Sequence, residues 1–182
     1  MKPLPPKHSR AASFPKPPAE LIWSTPEHVL AFGFGAGLAP RAPGTFGTLV
    51  GVVFFLVLLW LPWPFYAAAI LLLFAAGCFI CGESARLLGV HDYGGIVFDE
   101  IVGYLIAAAP LICLAPAGVG GWALGIGIAF ALFRLFDIAK PWPIRVFDRH
   151  VHGGFGIMVD DAIAGLFAAA VLWALRRWLL AF

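Results

Sequence analysis

Charge is what this chain has least of. Only 12% of its 182 residues are Asp, Glu, Lys or Arg and 62% are hydrophobic, whereas soluble domains carry about 25% charge and about 45 to 50% apolar residues. No Asp, Glu, Lys, Arg or His occurs in residues 42–82 or in residues 101–133. Such runs do not suit a water-soluble globule, and they exclude intrinsic disorder as the main state. Cysteine is also scarce. Cys78, Cys81 and Cys113 form no even framework, so a secreted disulfide scaffold is excluded, and the C-x-x-C at Cys78 and Cys81 lacks the further ligands and loop setting of a zinc site. The net charge of +2, with basic residues scattered among acidic ones, gives no reason to expect a nucleic-acid partner.

Long apolar runs are what the chain has instead. A spanning helix needs about 20 predominantly apolar residues, so each uncharged run holds a hairpin of two. The expected fold is all-α, a polytopic membrane bundle of four to five spanning helices. Residues 1–23, with six prolines and Lys2, Lys7, Arg10 and Lys16, read as a disordered basic arm, and residues 24–182 as one membrane-embedded domain. Ser24 or Thr25, followed by Pro26 and Glu27, is a helix start. Long helices are expected over about 46–61, 65–85, 99–116 and up to 138, with a last one opening at Asp160. Their short connections are uncharged, while the polar segments carry Arg41, Arg86, Arg134, Lys140, Arg145 and Arg149, which places those segments in the cytoplasm by the positive-inside rule. Only the last helix departs from this, since Arg176 and Arg177 follow Asp161 too closely for an unassisted crossing: it either spans, with both arginines snorkelling outward, or lies partly at the interface, and of the two we expect spanning.

Ionisable residues beside spanning helices are functional candidates because they are costly there. Here they repeat. A shift of 61 positions lays His91, Gly95, Ile96, Asp99 and Glu100 on His152, Gly156, Ile157, Asp160 and Asp161. Acids do favour first turns of helices, but one per start would serve as a cap. Four carboxylates held together need a compensating charge, and a hard divalent cation with oxygen ligands, Mg²⁺, suits Asp99, Glu100, Asp160 and Asp161 better than zinc does. The end of the fourth helix and the proline-stiffened turn after it carry Arg134, Lys140 and Arg145, suited to a doubly charged phosphate ester. A charge cluster that only anchors the loop would explain these cations but not the accompanying Asp137 and Asp148, which enter as candidate catalytic groups. His152, in a glycine-flanked loop, is a candidate proton relay at neutral pH. The glycine-rich run from Gly33 to Gly47 ends on a helix start, where backbone N–H groups can face an anion.

Three blocks resemble the phosphatidylglycerophosphatase A family of bacterial membrane lipid phosphatases: GFGAGLAPRAPGTFGTL at Gly33 to Leu49, VHDYGGIVFDEIVG at Val90 to Gly103, and FRLFDIAKPWPIRVFDRHVHGGFGIMVDDAIAG at Phe133 to Gly165. Tyr93 stands where some members are expected to carry histidine, and no role is given to it. The resemblance implies Mg²⁺-dependent hydrolysis of phosphatidylglycerophosphate to phosphatidylglycerol and inorganic phosphate, at the cytoplasmic face of the bacterial inner membrane. Two alternatives remain at this level. A phospholipid synthase also uses membrane-edge acids and Mg²⁺, although its Asp-Gly-x-x-Ala-Arg signature is missing. A small divalent-cation transporter also carries paired acids, but it needs them within the spans or on both faces.

Overall fold

The computed structural model describes residues 17–90 and 93–176. Among these residues the fold is all-α: α1 (Ala19–Ser24), α2 (Pro26–Ala31), a 3₁₀ turn at Ala36–Leu38, α3 (Pro43–Leu58), α4 (Trp63–Leu88), α5 (Phe98–Leu114), α6 (Gly118–Ala139), α7 (Ile144–His150) and α8 (Gly153–Ala174). Three of these, α4, α6 and α8, are long and apolar enough to cross a membrane. The apolar α3 is shorter, with 16 residues, and α5 has 17.

Local chemistry accounts for most boundaries. Pro43 occupies the first turn of α3, where its missing N–H costs nothing, and Ala42 before it takes a left-handed φ of 49°. The helix therefore starts before residue 46, the start expected from the sequence. Gly89, left-handed at φ 66°, closes α4, and its N–H bonds the carbonyl of Arg86. The part of the expected arm that lies in residues 1–16, together with His91 and Arg177, falls outside the described residues. At its other end the packed fold reaches further back than expected: α1 is helical, and its Ile22 is fully buried.

The largest departure is at α8. Its start was expected at Asp160, after the polar segment 140–159, whose Gly153, Gly154 and Gly156 disfavour the helical state by about 1 kcal/mol each. The helix instead begins at Gly153. Gly154 lies so close to the Cys78 carbonyl and Gly82 of α4 that a Cβ would overlap that carbonyl, and contact with α4 offsets the helix penalty. Two consequences follow. The helix becomes long enough to span, and Asp160 and Asp161 sit in its interior rather than in its first turn. The two blocks of the sequence repeat therefore differ in local structure, since Asp99 and Glu100 do open a helix.

α5 is the central helix, packed by α3, α4, α6 and α8, and its contact with α8 is the most extensive. Gly103 and Gly165 make that approach possible. A Cβ on Gly165 would run into the Gly103 carbonyl, and one on Gly103 would meet Phe133 and the Asp161 carbonyl. Small residues at such crossings let backbones come together and gain dispersion contacts in lipid, where no hydrophobic effect drives association. Polar pins complete the packing. Tyr66 donates to the Leu105 carbonyl at 2.8 Å, joining α4 to α5, and His28 Nδ1 lies 2.8 Å from Ser84 Oγ, joining α2 to α4. Burial holds the His28 imidazole below its ordinary pKa, with Glu27 offsetting part of that effect, so it stays neutral at pH 7. Cys78 and Cys81 carry no disulfide, and Cys81 packs its sulfur 3.8 Å from that of Met158.

Candidate functional site

Successive long helices run antiparallel, so the N-termini of α3, α5 and α8 and the C-terminus of α6 lie at one end of the bundle. A cavity of about 110 Å³ opens there, lined by Gly94, Ile96, Gly156 and Ile157 and by Asp99, Glu100, Asp137, Lys140, Asp160 and Asp161. Both copies of the sequence repeat contribute to it. Because α8 starts two turns early, its acids stand about 10 Å along the helix, level with the first turn of α5.

Asp99, Glu100 and Asp161 form the tightest group, each offering a carboxylate oxygen within 4.8 Å of the other two. Asp161 is 4% exposed. Glu100 Oε2 is buried with no hydrogen-bond partner among the described residues. Leaving a buried carboxylate oxygen unsatisfied is costly, and an oxygen-coordinated cation relieves both that cost and the mutual repulsion. The donor set, all oxygen and all carboxylate, fits Mg²⁺ and does not suit softer metals.

The remaining predicted ligand, Asp160, is held differently. Its Oδ2 lies 2.6 Å from Lys140 Nζ, which also bonds Asp148 Oδ1 at 2.8 Å. Burial alone lowers the pKa of Lys140, but the two carboxylates outweigh it and hold the ammonium above its ordinary value. These ion pairs also stabilise a backbone that would otherwise be unfavourable. Lys140 ends α6 with φ 41°, a left-handed conformation that costs a side-chain-bearing residue about 1 to 2 kcal/mol.

Arg134 lies one turn before Asp137 on α6. Its Nη1 is 2.6 Å from Asp137 Oδ2 and 3.9 Å from Glu100 Oε1. The short approach to Asp137 is an ion pair by distance but is too misaligned to count as a hydrogen bond, so Nη1 and Nε are both buried without hydrogen-bond partners. Asp137 also lines the cavity, beside Asp161. The cavity and its walls thus gather six carboxylates, Asp148 included, against two cations.

Of the ten residues expected from the sequence, the structure brings together Asp99, Glu100, Arg134, Asp137, Lys140, Asp160 and Asp161, with Asp148 behind Lys140. It does not bring Arg145 or His152 into the cavity. Arg145 is exposed on α7, in a neighbouring groove. His152 caps α8 from an extended conformation, with Nδ1 3.0 Å from the His150 carbonyl. Gly44 was missed as an individual residue. It packs in the first turn of α3 directly against Glu100 and Arg134, with no room for a Cβ. The glycine-rich run it belongs to was visible in the sequence, but its neighbours were not.

The geometry can be set beside known proteins. The family model described as Phosphatidylglycerophosphatase A matches residues 29–176. The chain is 41% identical to Phosphatidylglycerophosphatase A of Escherichia coli K12, over 92% of this chain and 91% of that protein. It is 44% identical to the Haemophilus influenzae protein of the same name, over 85% and 91%. A Bacteroides thetaiotaomicron protein, provisionally named phosphatidylinositol-3-phosphatase, is 37% identical over 84% and 94%. No solved structure matches.

Proposed function

The chain belongs to the phosphatidylglycerophosphatase A family, and from that premise we propose that it hydrolyses the terminal phosphomonoester of phosphatidylglycerophosphate, yielding phosphatidylglycerol and inorganic phosphate, with Mg²⁺ held by Asp99, Glu100 and Asp161. The observation that carries the metal assignment is the buried, unpartnered Glu100 Oε2 within a group of three converging acids. An anionic ester would be repelled by so acidic a cavity unless a cation were present. When bound, Mg²⁺ supplies positive charge beside the phosphate oxygens and lowers the pKa of water at the site.

The chain's own residues supply the rest. Arg134, whose Nε and Nη1 are buried without a hydrogen-bond partner among the described residues, binds the equatorial phosphate oxygens through its planar fork. Lys140, pinned by Asp148 and Asp160, places a second fixed positive charge on the cavity wall, where charge spreads over the phosphoryl oxygens in the transition state. Asp137, paired with Arg134 and lining the cavity beside Asp161, accepts a proton from the attacking water and passes it to the departing glycerol oxygen, while the water's other hydrogen stays with the phosphate. The positive-inside pattern assigns this end of the bundle to the cytoplasmic face of the inner membrane, at headgroup level.

Purified full-length protein in detergent, given dioctanoyl phosphatidylglycerophosphate, should release inorganic phosphate, lose that activity with EDTA and regain it with excess Mg²⁺. No release overturns the substrate; release that is indifferent to chelation overturns the metal.

A further inference from the structure

Beside the acidic cavity lies a larger open groove of about 420 Å³, bordered by Lys140, Pro141, Trp142, Arg145, Val146 and His150. Lys140 is common to both. Their chemistry is opposite. Five carboxylates line the cavity and none lines the groove, whose charged side chains are Lys140 and Arg145. Arg134 and Lys140 are each engaged by carboxylates, whereas Arg145 forms no ion pair among the described residues. Next to it Trp142, 81% exposed, stands out from the surface with Val146. An indole beside a guanidinium is the pairing that settles at lipid headgroup level, where an apolar body and a charged tip are both satisfied.

The geometry points to this groove as the subsite for the second phosphate of the substrate. This inference rests on the proposed function. The lipid carries two phosphates joined by one glycerol: a terminal monoester, which is cleaved, and an internal diester, which remains in the product. The monoester carries the greater charge and goes where a divalent cation and Arg134 can meet it. The diester, a single negative charge, needs only one cation and no competing acid. Arg145 supplies that cation, Lys140 marks the passage between the two subsites, and Trp142 and Val146 carry the apolar part of the lipid away from the cavity. Arg145 is therefore a specificity residue for the diester rather than a ligand of the transferred phosphate.

Product inhibition separates the two subsites, because each product carries one of the two groups. With dioctanoyl phosphatidylglycerophosphate as substrate and Mg²⁺ present, Arg145→Gln should raise KM about tenfold, as expected for loss of one charge-assisted contact, with a much smaller change in kcat. The inhibition constant for dioctanoyl phosphatidylglycerol should rise by a similar factor, while that for inorganic phosphate stays the same. Arg145→Lys should keep part of the affinity. An unchanged inhibition constant for phosphatidylglycerol overturns the subsite, as does an equal weakening of both products. Failure of the wild-type protein to release phosphate from this substrate is a separate result, and it overturns the functional reading on which the subsite rests.

Discussion

Gly44 offers a test in which stability and activity should part. On helix grounds alone, Gly44→Ala should help: alanine in place of a helical glycine gains about 0.5 to 1 kcal/mol, and α3 needs no left-handed conformation at this position. The tertiary structure reverses that expectation for function. A methyl group at Gly44 would overlap Glu100 Oε1 and lie 3.0 Å from Arg134 Nη1 and 3.2 Å from Glu100 Cδ. What it strikes is the end of a side chain with three rotatable bonds, so the carboxylate turns away and the backbone stays in place. The fold should hold, with a thermal midpoint within about 4 °C of wild type for a change of about 1 kcal/mol in a chain of this size. The acid triad should not hold. Displacing one ligand should cost about 10- to 100-fold in Mg²⁺ affinity or activity, by analogy with lost supports at other metal sites. The assay is phosphate release over a Mg²⁺ titration, with thermal unfolding measured in the same detergent. Because both changes act through Glu100, Gly44→Ala added to Glu100→Gln should cost little beyond Glu100→Gln alone. Wild-type turnover with a wild-type Mg²⁺ requirement would refute this reasoning. So would a fall in midpoint beyond about 10 °C, which would mean that the backbone had moved instead.

Four further outcomes are expected. Asp99→Asn and Asp161→Asn should each reduce phosphate release at least about 100-fold while the protein remains membrane-inserted, as judged by resistance to alkaline carbonate extraction. His152→Ala should cost far less turnover than Asp137→Asn, because only Asp137 lines the cavity; a larger loss in the histidine variant would overturn the assignment of proton transfer to Asp137. Lys140→Met leaves Asp148 and Asp160 facing each other without their cation and should destabilise by about 2 kcal/mol, between the values for exposed and fully buried pairs. Since the folded-state pKa of Lys140 is raised, its contribution is complete below the ordinary lysine value of about 10.4 and is lost only as pH climbs through the higher folded value. The gap in stability between wild type and Lys140→Met should therefore stay constant from pH 7 to about pH 10. Finally, Gly165→Val should force α5 and α8 apart and lower both midpoint and turnover, whereas the same change at Gly120, where a Cβ meets nothing, should leave turnover intact.

Much of this protein could be read directly from the chain. The uncharged runs 42–82 and 101–133 dictated a helical bundle in lipid, because only helices and closed barrels satisfy their backbone there and these continuous apolar runs lack the alternation of a barrel. The scarcity of charge also made the polar segments conspicuous, and seven of the ten residues singled out in them converge on one cavity. Their roles were another matter. The sequence treats Asp99–Glu100 and Asp160–Asp161 as equivalent pairs, but α8 begins at Gly153 and turns its acids into the helix interior. Lys140 then claims Asp160, leaving Asp161 to join the acids of α5. Likewise Arg134, Lys140 and Arg145 look alike along the chain, and only the turn at Lys140 and the short α7 send Arg145 into a different groove. Composition and spacing determined which environment the chain needs and which residues are too costly to be incidental there. Which carboxylate meets which cation was decided by helix starts and close glycine approaches, because these depend on contacts between segments distant in sequence.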